Sequence, residues 1–120
     1  MNYNLVLHVD SDAPEILSLA FSNAANYRAA LPNEDFRMVL VANGPAVKRF
    51  TREDRELAEQ GEKLAGQGLE IMLCNNALNK FGIDREHLWN SASVVPAGVV
   101  ELVRLQREKL EKEVAGVLFP

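Results

Sequence analysis

Cysteine is what this sequence has least of among its chemically reactive residues: Cys74 stands alone in 120 residues. One thiol cannot form an internal disulfide, a CxxC redox pair or a cysteine-based zinc cluster within one chain, so a reducing compartment fits and any sulfur chemistry must use a partner. Long apolar runs are missing too. The stretch from Leu5 to Val9 is too short, and too interrupted by His8, for a signal peptide or a membrane span, so no membrane partner is expected and a cytoplasmic location is the default. Positive charge is in deficit, with 13 Lys and Arg against 17 Asp and Glu and a net charge of -4. Such a balance gives no general attraction to nucleic acid or to an anionic membrane surface. The two histidines and the cysteine lack the local spacing of a metal site, no cofactor signature is evident, and no repeat, low-complexity tract or linker interrupts the chain.

What remains is ordinary globular material, 48% apolar and 25% charged, long enough to build one core without staples. Residues 1–120 therefore read as a single domain. "YNLVLHVD" reads as a strand, and "SDAPE" as a helix start with Asp12 as cap, Pro14 in the first turn and Glu15 closing a capping box. Ile16, Leu17, Ala20, Phe21, Ala24 and Ala25 recur at helical spacing, and Pro32 ends that helix near Leu31. "FRMVLVA" is a second strand, stopped by Asn43 and Gly44. "TREDRELAEQGEKLAGQG" is a charged amphipathic helix with Leu57, Ala58, Leu64 and Ala65 as its inner positions.

The third strand, "LEIML", ends at Cys74. A helix of one or two turns follows to Gly82, with Asn75 as its expected cap, and Asp84 can cap a further turn. "ASVVPAG" is a brief strand, the next helix carries Val99, Leu102, Val103 and Leu110 on one side, and "AGVLF" is expected as a last short strand. Alternation from end to end predicts an α/β fold: a three-layer α/β/α sandwich around a mostly parallel five-stranded sheet. Right-handed crossovers place every strand-exit loop at one edge, where ligands of open α/β folds bind.

Four short segments therefore hold the candidate site: His8 to Asp12, Asn43 to Lys48, Cys74 to Asn76, and Val95 to Gly98. Cys74, between a strand end and a helix start, has two readings. Unpaired amides there would stabilise a thiolate, whereas a free cysteine is as often a small buried residue. His8 and Asp10 could supply a proton acceptor and an orienting carboxylate; the plainer reading gives them loop hydrogen bonds and a helix start. Gly44 and Lys48 lie near an expected anion site but lack the spacing of a phosphate-wrapping loop. Lys48, Arg49 and Arg52 form a small basic cluster, and His87 beside Trp89 reads as a surface histidine next to a packing residue.

Taken together, "HVDSD", "VANGPAVK", "LCNNALNKFGIDREHL" and "SVVPAGVVELVRLQ" resemble the DsrE/DsrF-like family, specifically its small single-domain and mostly uncharacterised branch. The resemblance spans nearly the whole chain. It implies a five-stranded α/β/α domain built into homotrimers or homohexamers, and, from the family's sulfur carriers, an active cysteine after the third strand that holds persulfide sulfur between a donor protein and an acceptor protein. Cys74 is the matching position, which favours an accessible thiol there. His8, Asp10 and Gly44 match the uncharacterised branch, so no role is carried over to them. The alternative is a noncatalytic oligomeric module binding a small polar or anionic ligand through His8, Asp10, Asn43, Gly44, Lys48 and Asn75. Val117, Leu118 and Phe119 form an apolar terminus that a neighbouring subunit or the chain's own core could cover.

Overall fold

The computed structural model describes residues 3–112 and 116–118, with the side chains of 3–108. Five strands form one sheet in the order β4-β3-β2-β1-β5: β1 Leu5–Val9, β2 Met38–Ala42, β3 Leu69–Cys74, β4 Ala92–Val95 and β5 Gly116–Leu118. Every pairing is parallel. Helices fill the connections: α1 Pro14–Ala30, α2 Arg55–Gly66, α3 Asn75–Lys80 and α4 Gly98–Lys112, with 3-10 turns at Gly44–Arg49 and Arg85–His87.

Strand alternation sorts the core into two layers. Leu5, Leu7, Val9, Met38, Leu40, Ala42, Leu69, Ile71 and Leu73 face α1 and α2, joined by Leu17, Phe21, Leu57 and Leu64. Val6, Val39 and Val41 face the other way and meet Leu102 and Leu105 of α4, which crosses back from one edge strand to the other. Both faces are thus covered, which is why the central strand β2 is apolar at every position.

Several local expectations need correction. Ala13, not Asp12, is the N-cap of α1, and its N–H is held by Ser11 Oγ at 3.2 Å. Ala25 is exposed, because α1 turns a narrower stripe inward than its sequence offers. On α4 the inward residues are Leu102, Leu105 and Glu101, whereas Val99 and Val103 are 57% and 56% exposed. The helix carries two apolar stripes, and the sheet takes one of them. The side chains of Leu110, Val117 and Leu118, and all of Phe119, lie outside the described residues. Gly61 was not foreseen as an inner position of α2: a Cβ there would stand 2.3 Å from Trp89 Cζ3, so the indole packs where a side chain would be.

Candidate functional site

Strand register builds the site. Cys74 pairs with Val95, and one residue beyond the pairs Val9–Ala42 and Ala42–Leu73 the same row continues through Asp10, Asn43 and Cys74. Neighbouring strands lie about 4.8 Å apart, so Asn43 is the immediate neighbour of Cys74. Alternation turns Asn43 and Cys74 towards the α4 side, and the first residue of α4 arrives directly above them. A Cβ on Gly98 would be 3.3 Å from Cys74 Cβ, 3.3 Å from Asn43 Cβ and 3.3 Å from Asn43 Oδ1. Only a residue without a side chain lets the helix start this close.

That close approach decides the exposure of the thiol. Cys74 is 4% exposed, which corrects the expectation of an accessible sulfur. The covering comes from α4 on one side and from Ala77 and Leu78 of α3, with which Cys74 shares the main core, on the other. Cys74 is itself the N-cap of α3, and Asn75 is the first helical residue rather than the cap. The Asn75 carboxamide is engaged elsewhere: Arg85 donates to its Oδ1 and, at 3.1 Å, to Asn79 Oδ1. Nothing in the sequence marks Arg85 for that role.

The remaining candidates separate into groups. His8 lies one strand step below Asp10, its Nε2 3.9 Å from Asp10 Oδ2, beyond hydrogen-bond length. The ring is largely buried while the carboxylate is exposed, so the pair shares a direction without forming a tight dyad. Register places His8 two strands from Cys74, across Val41 and Met72, so the imidazole is not the neighbour of the thiol. Gly44 sits at a φ of +56° and brings the chain past the Asp10 carbonyl, a conformation glycine adopts readily. Lys48 Nζ is 3.6 Å from Asp12 Oδ2 and 4.4 Å from the centre of the Phe81 ring.

Arg49 donates to the Asp12 carbonyl and pairs with Asp54, and Arg52 donates to the carbonyls of Glu86 and Leu88. The basic cluster ties loops together and does not converge on one point. Trp89 is buried with its Nε1–H donated to the Thr51 carbonyl, and His87 is exposed beside Glu53. Among the described residues, no group of three His, Cys, Asp or Glu side chains is placed to hold a metal ion, and no helix is long and apolar enough to cross a membrane.

Comparison with known proteins adds to this geometry. The sequence model of the DsrE/DsrF-like family matches residues 4–110. A solved structure of a protein of unknown function, MTH1491 from Methanobacterium thermoautotrophicum, is 32% identical, with a TM-score of 0.85, covering 99% of this chain and 100% of that one. The ychN protein from E. coli has a TM-score of 0.76 over the whole of both chains at 19% identity, a likeness of fold. No curated protein matches the chain.

Proposed function

The chain belongs to the DsrE/DsrF-like family, and from that premise we propose that it is a cytoplasmic sulfur carrier, or thiol relay, holding sulfane sulfur on Cys74. The observation that carries the proposal is the position of the one cysteine: it ends β3, caps α3 and lies against the first residue of α4, at the sheet edge where open α/β folds bind their ligands. In the transfer step the Cys74 thiolate attacks the outer sulfur of a donor persulfide. A bond forms between Cys74 Sγ and that sulfur, the donor's S–S bond breaks, and the donor leaves as a thiolate. Transfer to an acceptor thiol is the same exchange run onward, with no net oxidation and no cofactor. Because the sulfur is buried, a donor reaches it only when the packing around Cys74 opens.

Intact mass after incubation with a persulfide donor tests this reading. The wild type should gain one sulfur atom and Cys74→Ser none; no gain on the wild type, or an equal gain on the serine variant, would sink the proposal. The ligand-module reading has less behind it, since Lys48 and Asn75 are already engaged by Asp12, Phe81 and Arg85.

The carrier also needs partners. We propose donor and acceptor proteins for the sulfur, and a homotrimer or homohexamer in which further copies of the chain cover the exposed face of Val99, Val100 and Val103. Large exposed aliphatic side chains grouped on one helix face are a usual mark of subunit contact.

A further inference from the structure

Where α1 and α2 lie side by side on the sheet, a groove of about 440 Å³ runs between their later turns. Residue sizes create it. Ser22, Ala25 and Ala29 recur at helical spacing on one face of α1 and are too short to reach across to α2. The floor does not rise to fill the gap, because Phe21 is packed against Trp89, 6.0 Å between ring centres, and Leu64 is buried in the same core. In a chain of net charge -4 none of the nine lining residues is acidic, and the carboxylates of the two helices, Glu15, Glu56, Glu59 and Glu62, all lie outside the groove. Two cations line it instead. Arg28 donates to the Leu31 and Glu34 carbonyls and so closes the end of α1, whereas Lys63 makes no hydrogen bond or ion pair with the described residues. A lone surface lysine is ordinary, but a lysine on the wall of a carboxylate-free groove with an apolar floor complements an anion that has an apolar body.

We propose that this groove binds a small amphipathic carboxylate, whose apolar body lies on Phe21, Ala25 and Leu64 and whose carboxylate pairs with Lys63. The volume falls within the range of small-molecule pockets, roughly 300–1,000 Å³. Ser22, Gln60 and Gln67 add neutral donors at the rim. Inorganic phosphate is the wrong occupant: it has no apolar surface to set on the floor, and one uncommitted cation falls short of the several charged donors that hold a compact, multiply charged anion. The site is separate from the thiol. Both helices run back from strand exits towards strand entries, so the groove lies on the sheet face opposite α4 and away from Cys74 at its strand exit. Binding there neither requires nor tests sulfur transfer.

The test titrates the full chain with phenylbutyrate and, separately, with its uncharged amide, phenylbutyramide, following backbone amide shifts by nuclear magnetic resonance. Phenylbutyrate should give saturable shifts centred on residues 21–29 and 60–67, and the amide should bind several-fold more weakly. Lys63→Gln should weaken phenylbutyrate by roughly threefold to fivefold, the worth of an exposed ion pair, and bring it level with the amide, while Lys63→Arg should restore the preference. Ala25→Glu, which sets a carboxylate and extra bulk in the groove, should abolish saturation. Arg107→Glu, beside the exposed valines of α4, should change nothing. The thermal midpoint checks that each variant is folded, and Lys63→Gln, a change at an exposed position, carries the test if Ala25→Glu is not. No saturable shift on the wild type up to millimolar concentrations would overturn the proposal. So would shifts centred on α4 or the strand exits, equal affinity for carboxylate and amide, or undiminished binding by Lys63→Gln.

Discussion

At Gly61 the absence of one methyl group decides how two layers fit. The Trp89 ring lies on the α2 backbone there, tilted against Phe50 at 4.8 Å and Phe21 at 6.0 Å between ring centres. A methyl at Gly61 would meet Cζ3 at 2.3 Å, Cε3 at 2.9 Å and Phe21 Cζ at 3.2 Å, all atoms of buried rings. Alanine's helix preference over glycine is worth about 1 kcal/mol, but overpacking a close-fitted core costs about 1–3 kcal/mol and forces the indole to move. Gly61→Ala should therefore lower stability by up to about 2 kcal/mol in urea unfolding, about 1–3 kcal/mol below Gly66→Ala. Gly66→Ala, where a Cβ would meet nothing within 4 Å, should leave stability unchanged or raise it by up to about 1 kcal/mol. A Gly61→Ala variant as stable as Gly66→Ala would refute the packing account. Glycines are read from sequence as turn signals, and Gly44 and Gly82, both at positive φ, serve that purpose. Gly61 and Gly98 matter for a different reason, the approach of a distant residue, and no local pattern announces it.

Among the elements, α4 shows most plainly what packing adds to periodicity. Its sequence offers valines and leucines on more than one side, and spacing alone puts Val99, Leu102 and Val103 together. The sheet face of Val6, Val39 and Val41 accepts Leu102 and Leu105, leaving the valines outside. The two sets should respond differently to truncation. Leu105→Ala removes a buried side chain and should cost about 2–4 kcal/mol, while Val103→Ala should change monomer stability by no more than about 0.5 kcal/mol. Denaturant unfolding at low protein concentration makes the comparison, and similar losses at both positions would show that the helix is turned differently. Glu101 belongs to this element as well: it is 4% exposed, and Arg104 one turn on donates to its carboxylate. A buried acid on an otherwise apolar stripe is readable in sequence only as a break in the pattern, because its partner lies on the exposed side of the same helix.

For the molecule as a whole, the open question of assembly has a direct measurement. If further copies cover the α4 valines, light scattering should give a mass several times that of the 13.3 kDa chain. The double substitution Val100→Glu and Val103→Glu should reduce it towards the monomer without loss of helical signal, since charges placed in an apolar contact are left unpaired. A wild-type mass equal to one chain at every concentration would defeat the proposed oligomer.

Residue order by itself determined the architecture. Short apolar runs separated by helical patterns and broken by Pro32, Gly44, Gly68 and Gly82 are local signals, and a parallel sheet covered on both faces is the compact arrangement that buries them all. The sequence also singled out Cys74, because there is one cysteine and it falls at a strand exit. Tertiary structure decided everything that depends on what stands opposite: that α4 lies over the thiol and buries it, that Asn43 is its neighbour while His8 is two strands away, and that Arg85 and Asp12 occupy side chains that looked available. Those facts come from register and from the landing point of a crossover helix, set by the packing of the whole core and carried by no single stretch of chain.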